Sequence, residues 1–297
     1  MSPRHIALAV LIAAIWGFNF VIIKLGVAEM PPFLLLALRF FFAAIPVVFF
    51  IARPKVGGSW LAAYGLMLAL GQFGFMFMAV KMGLSAGLTS LVLQLQAFFT
   101  MLFVWFMLRE VPRWFQGVGA AIAFAGISLI AAQRWNGPDV LPLILCVIAA
   151  AGWGASNIIA KMAKPQNAVS FTVWSSLWSV APLLALSFLF EDHAQTLSAL
   201  LHPTLISITA VVYLAALSTL FGYGAWNFLL TKYSTSVVAP FSLLVPIFGI
   251  ISGVLILGES FDRFEIAGAA LVIVGLLFNN FGGFIIKKKA EPRGSAV

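Results

Sequence analysis

Apolar residues run down this chain in ten long blocks, at 6–26, 31–51, 60–80, 84–108, 114–132, 141–162, 168–190, 205–230, 235–257 and 263–284. Each approaches the roughly 20 residues that a helix needs to cross the hydrocarbon core of a bilayer. The breaks between blocks are short, so no soluble domain fits among them. The pattern predicts an all-α integral membrane protein with ten transmembrane helices. Only the segment "LFVWFMLREVPRWFQGVG" admits a different division.

The blocks fall into two copies. "WGFNFVIIK" at Trp16 to Lys24 has an echo in "WGASNIIAK" at Trp153 to Lys161, with Trp, Gly, one Ile and Lys at the same spacing. Pro46 corresponds to Pro182, and "QFGFMF" pairs loosely with "GYGAWN". "EVPRWFQGVGAA" from Glu110 matches "ESFDRFEIAGAA" from Glu259 at the Glu and the Gly-Ala-Ala. The offset grows from 137 to 149 residues, which puts the additional residues near the connection "EDHAQTLSALLHPT". We therefore expect a first five-span repeat at 1–135 and a second at 136–297, the latter ending in a basic cytoplasmic tail. Five is odd, so the second copy enters the membrane from the opposite side. Such inverted repeats rock about a central site and expose it alternately to each face, which predicts transport by alternating access.

Composition agrees with a bilayer environment: 63% of residues are hydrophobic, 9% are charged, and the mean hydropathy is +1.09. Charge adds orientation. With the N-terminus inside, Arg4, Arg53, Lys55, Arg109, Arg113, Lys161, Lys164, Lys232, the lysines at 287–289 and Arg293 are cytoplasmic, twelve of the 17 basic residues. Basic loops resist translocation, so both termini are expected in the cytoplasm. The net charge of +8 is then a product of topology, and no nucleic-acid partner is needed to explain it. The first block has Arg4 ahead of an apolar core, like a secretory leader, but its place in the repeat argues for a retained span. A lone cysteine, Cys146, excludes a disulfide framework.

Polar groups at membrane depth should face a cavity between the copies, because lipid offers an amide no hydrogen-bond partner. The candidates for substrate contact are Trp16, Asn19 and Phe20 in the first span, Gln72 and Phe75 in the third, and Gln94, Gln96 and Phe99 in the fourth. Trp153 and Asn157 in the sixth, Tyr223 and Trp226 in the eighth, and Phe241 and Ser242 in the ninth complete the set. Asn19 and Asn157 would alternatively tie helices together. Gly17 and Gly154 would admit a neighbouring backbone. Pro240, Pro246 and the "SAGLTS" opening of the fourth span suggest interrupted helices. Gly119 and Gly126, with Gly268, Gly275 and Gly282, recur every seven residues and predict a close-packed helix seam or a homodimer contact.

What the spans lack narrows the mechanism. All nine acids lie at helix ends or in loops, and His5, His193 and His202 lie outside the spans. A proton-driven antiporter needs a titratable group at depth; Glu110 and Glu259 are the fallback pair. Arg39 is the one charge well inside a span, and is read as structural or gating. No nucleophile and base, no cluster of metal ligands and no cofactor motif is present, so an enzyme is not expected. A passive channel is the rival class.

"WGFNFVIIK", the "ALRF" around Arg39, "SLVLQLQAFFT", the Glu ahead of spans five and ten and the double repeat together resemble the EamA-type exporters of the drug/metabolite transporter superfamily. The similarity extends to their YddG-like aromatic-amino-acid exporter group and covers essentially the whole chain. It implies a multi-pass protein of the bacterial inner membrane, with a central cavity and with spans five and ten at the periphery. It also implies export of amino acids and related metabolites. The superfamily's four-span multidrug exporters carry a membrane-embedded Glu in their first span that this chain lacks. The resulting expectation is facilitative export of small zwitterions, large neutral or aromatic amino acids among them.

Overall fold

A computed structural model describes residues 1–45, 47–134 and 140–290. Pro46, the repeat boundary at 135–136, and Glu291 and Arg293 of the tail lie outside the described residues. Every described element is helical. Ten stretches are long and apolar enough to cross a membrane: Pro3–Glu29, Pro32–Phe49, Gly58–Lys81, Ala86–Leu108, Trp114–Arg134, Val140–Ala163, Ala168–Phe190, Leu205–Lys232, Ala239–Leu257 and Arg263–Gly282, here spans one to ten. They coincide with the expected blocks to within a few residues, except that a separate turn, Thr235–Val238, precedes span nine. The connection after span seven holds a helix the hydropathy pattern does not mark, His193–Leu201, capped by the Asp192 carboxylate accepting from the Gln195 N–H at 2.7 Å. At nine residues it is too short to cross a bilayer.

Local chemistry explains where the spans begin. Ser85, Asn167 and Thr204 cap spans four, seven and eight, each accepting from a backbone N–H three residues on, at 3.0–3.2 Å. Such N–H groups have no intrahelical partner. Span two opens on Pro31 and Pro32, which carry no N–H, and the next two donors, Phe33 and Leu34, give theirs to the Glu191 carboxylate at the end of span seven. At the other end of span two, Ser170 Oγ donates to the Ala52 carbonyl at 2.6 Å and Trp174 Nε1 to that of Ile51 at 3.1 Å. Spans two and seven are thus laced antiparallel.

Spans five and ten run antiparallel as well, and the heptad glycines form their seam. A methyl group on Gly275 would stand 2.5 Å from the Gly119 carbonyl oxygen, and one on Gly126 would stand 2.5 Å from that of Gly268. Only glycine lets these backbones approach so closely. These glycines form the expected close-packed seam within the chain. Arg134 of span five also pairs with Glu265, in the first turn of span ten.

Span two ends in a 3-10 turn at Val47–Phe49, and four further spans depart from regular α-helix in matching pairs. Span three is π-helical over Met67–Gly74 and span eight over Tyr213–Phe221; span four tightens to a 3-10 turn at Leu93–Leu95 and span nine at Ala239–Leu243. The main hydrophobic core draws most of its buried residues from spans one to four and span six, such as Phe20, Leu35, Phe77, Leu91 and Ala150, with further members from every other span.

Candidate functional site: a polar cavity between the spans

The irregular segments surround a cavity of about 290 Å³. Gln72, Phe73 and Met76 reach it from span three, and Ser218, Tyr223 and Trp226 from span eight. Ser90, Leu93, Gln94 and Gln96 reach it from span four, with Ser242 and Val245 from span nine. π-helical turns are uncommon and recur at functional sites; here each brings a polar residue to the wall. The two 3-10 turns meet where Gln94 Nε2 donates to the Ser242 carbonyl at 3.5 Å.

Spans one and six supply the repeated motif. Trp16, Asn19 and Phe20 line the cavity from span one, and Trp153 and Asn157 from span six. Trp16 Nε1 donates to the Ser218 carbonyl at 3.0 Å, and its ring lies 5.5 Å from Tyr223 and 5.3 Å from Trp226. Gly17 is what admits span nine: a methyl there would stand 2.4 Å from Phe248 Cβ. Gly154 does the same for span four, where a methyl would stand 2.8 Å from Phe99 Cβ.

The two asparagines differ in how they are used. Asn157 Nδ2 donates to Gln96 Oε1 at 2.8 Å and to Thr100 Oγ1 at 3.1 Å, which ties span six to span four. Asn19, 6% exposed, keeps an unpaired Oδ1. Gln72, 3% exposed, keeps an unpaired Oε1.

Three expected residues do not line the cavity. Phe75 is more than a third exposed. Gln72, Phe73 and Met76, at helical spacing of one and four residues, take the cavity face, and Phe75 falls to one side of it. The Phe99 ring packs edge-on against Phe124 at 5.7 Å. Phe241 packs on a separate cluster of Ala9, Ile12, Leu229 and Val238.

Arg39 is the main addition to the expected set. Only 2% exposed, it lines the cavity, with its guanidinium 4.0 Å over the Phe73 ring. Nε and Nη2 donate to Thr219 Oγ1 at 3.3 and 3.2 Å, and Nη1 has no partner. A cation at such depth costs about 2.5–3.5 kcal/mol or more. Among the described residues no carboxylate pairs with it, and none lines the cavity. Sequence alone marked Arg39 as a lone buried charge but had no signal for the direction in which it points.

Ion pairs hold the C-terminal ends of spans one and six. Lys24, closing "WGFNFVIIK", binds Glu259 at 2.9 Å, and Lys161, closing "WGASNIIAK", binds Glu110 at 2.8 Å. Arg109 and Gly258, both in left-handed conformation, end spans four and nine immediately before these glutamates. The pairs are not equally enclosed. The Glu259 side chain is 5% exposed and also accepts from the Ala86 and Gly87 N–H groups at 2.6 and 3.0 Å, whereas that of Glu110 is 58% exposed.

Ten membrane-spanning helices around a cavity lined by polar and aromatic residues define the class as a multi-pass membrane transport protein. The sequence model of the EamA-like transporter family matches residues 4–132 and 140–281, and the chain belongs to that family. It is 41% identical to a protein of Salmonella typhimurium (strain LT2) named "Probable amino-acid metabolite efflux pump", over 99% of this chain and all of that one. It is 39% identical to a protein of the same name from Escherichia coli (strain K12), over 95% and 96% of the two chains. A crystal structure at 20% identity superposes with a TM-score of 0.61, covering 94% of this chain and 98% of that one, and shares the fold.

Proposed function

We propose that this protein is a facilitative exporter of amino acids and related metabolites across the bacterial inner membrane, with large neutral or aromatic amino acids among its substrates. The observation that carries the reading is the cavity itself. Its wall combines amides, tryptophans and a tyrosine, without a carboxylate that would select cations. The names of the two relatives above point the same way. A carrier also accounts for the residues better than an enzyme, since nothing in the cavity wall pairs a nucleophile with a base.

Alternating access between a repeat at 1–135 and an inverted repeat at 136–297 is supported by the antiparallel lacing of spans two with seven and five with ten. The unequal ion pairs support it further. With both termini cytoplasmic, Lys24 and Glu259 stand at the periplasmic end and Lys161 and Glu110 at the cytoplasmic end. The conformation described is then closed outside and looser inside. Proteoliposomes loaded with labelled amino acids test the reading, with saturable, counterflow-stimulated efflux as the expected result. Unsaturable flux would favour a channel, and movement of cationic drugs without any amino acid would favour a multidrug antiporter.

A further inference from the structure

Three residues that line the central cavity each keep a buried side-chain atom without a hydrogen-bond partner: Arg39 Nη1, Asn19 Oδ1 and Gln72 Oε1. One is a cationic donor and two are neutral acceptors. We propose that they form a headgroup subsite for an α-amino acid, in which Arg39 receives the carboxylate and the amide oxygens of Asn19 and Gln72 receive the ammonium. The proposal rests on the amino-acid reading above and deepens it by assigning the part of the substrate that every amino acid shares.

The chemistry of each member fits the role. A guanidinium matches a carboxylate in geometry and forms charge-assisted hydrogen bonds stronger than neutral ones. Arg39 is also held ready: Phe73 covers one face of the guanidinium, Thr219 takes Nε and Nη2, and Nη1 remains for a ligand. Fixing the fork before binding reduces the ordering cost that binding would otherwise incur. A purely structural tie among spans two, three and eight would use the ring and the Thr219 contacts. It would not account for an unpaired cationic donor on a residue that lines a cavity where two further lining residues keep unpaired acceptors. Carbonyl oxygens suit an ammonium because they attract it without the fixed negative charge that would hold it too tightly for release. The indole and phenol rings of Trp16, Tyr223 and Trp226 are then left for the side chain.

Purified wild-type protein in proteoliposomes, taking up labelled L-phenylalanine, provides the test. Unlabelled phenylalanine should compete at least about tenfold better than phenylalaninamide or N-acetylphenylalanine, each of which removes one charged partner of the subsite. Arg39→Gln should raise the half-saturation concentration and abolish the preference for the acid over the amide. Asn19→Ala should weaken discrimination against the N-acetyl compound instead. Should Arg39→Gln fail to fold, the wild-type competition series alone decides. Phenylalanine transport with equal competition by the amide would overturn the subsite and leave amino-acid export standing. If phenylalanine does not move, the same series is run with whichever amino acid does; movement of none of the common amino acids would overturn both.

Discussion

Lys24 of span one and Glu259, just after span nine, form a 2.9 Å ion pair, in which the glutamate also takes two backbone N–H groups at the start of span four. Their counterparts by the repeat, Lys161 and Glu110, meet at a similar distance, but both side chains are about half exposed. The same chemistry thus has different weight at the two ends. A well-buried carboxylate with several donors is costly to disrupt, about 1.5–3 kcal/mol per charged hydrogen bond. An exposed ion pair contributes about 0–1 kcal/mol. Glu259→Gln should therefore lower the melting temperature of the purified protein clearly more than Glu110→Gln. Equal shifts would mean that the ends are equally closed in solution.

The asparagines of the repeated motif should separate in a similar way. Asn19→Ala removes an unpaired cavity amide and touches no interhelical bond, so folded yield should stay near wild type while the half-saturation concentration rises. Asn157→Ala removes donors to Gln96 and Thr100. A hydrogen bond between membrane helices averages about 0.6 kcal/mol, so this variant should lose some stability as well as some transport. Paired melting and uptake curves check both. Normal transport by Asn19→Ala would return that residue to a packing role.

Much of this arrangement is legible in the sequence. A bilayer demands about 20 apolar residues per crossing, and the repeat is marked by Trp16, Gly17 and Lys24 against Trp153, Gly154 and Lys161. Three things escape it. The π turn at Met67–Gly74 leaves no compositional trace, and the cavity face carries Phe73 and Met76 in place of the expected Phe75. Partners on spans far apart in the chain, such as Lys24 and Glu259, lie 235 residues apart. Each end is visible in sequence as a charge at a helix terminus, which solvent would satisfy equally well. Arg39 escapes for a related reason: a lone charge in an apolar helix states that a partner is needed without naming it.

The glycine seam gives a prediction remote from the cavity. Gly275→Leu would drive a side chain into the Gly119 carbonyl and the Ala123 backbone and force spans five and ten apart. Melting temperature and folded yield should fall. The preference among substrates should not change in whatever protein folds, because neither span contributes to the cavity wall. A change in preference would show that the outer pair shapes the site.

Energy coupling is the most consequential test. The cavity wall holds no carboxylate and no histidine, and Arg39 stays protonated across the physiological range. Nothing in the site is therefore suited to take up a proton on one side and release it on the other. A zwitterion carries no net charge, so an imposed membrane potential should change its flux little. Vesicles loaded with substrate should show the same initial efflux under an inward proton gradient, an outward one and none. The titratable groups that remain near the path are Glu110 and Glu259, each at a helix end and each paired with a lysine. Accumulation of substrate against its own gradient, driven by protons and lost in Glu110→Gln or Glu259→Gln, would convert these ion pairs from latches into the coupling machinery and make the protein an antiporter.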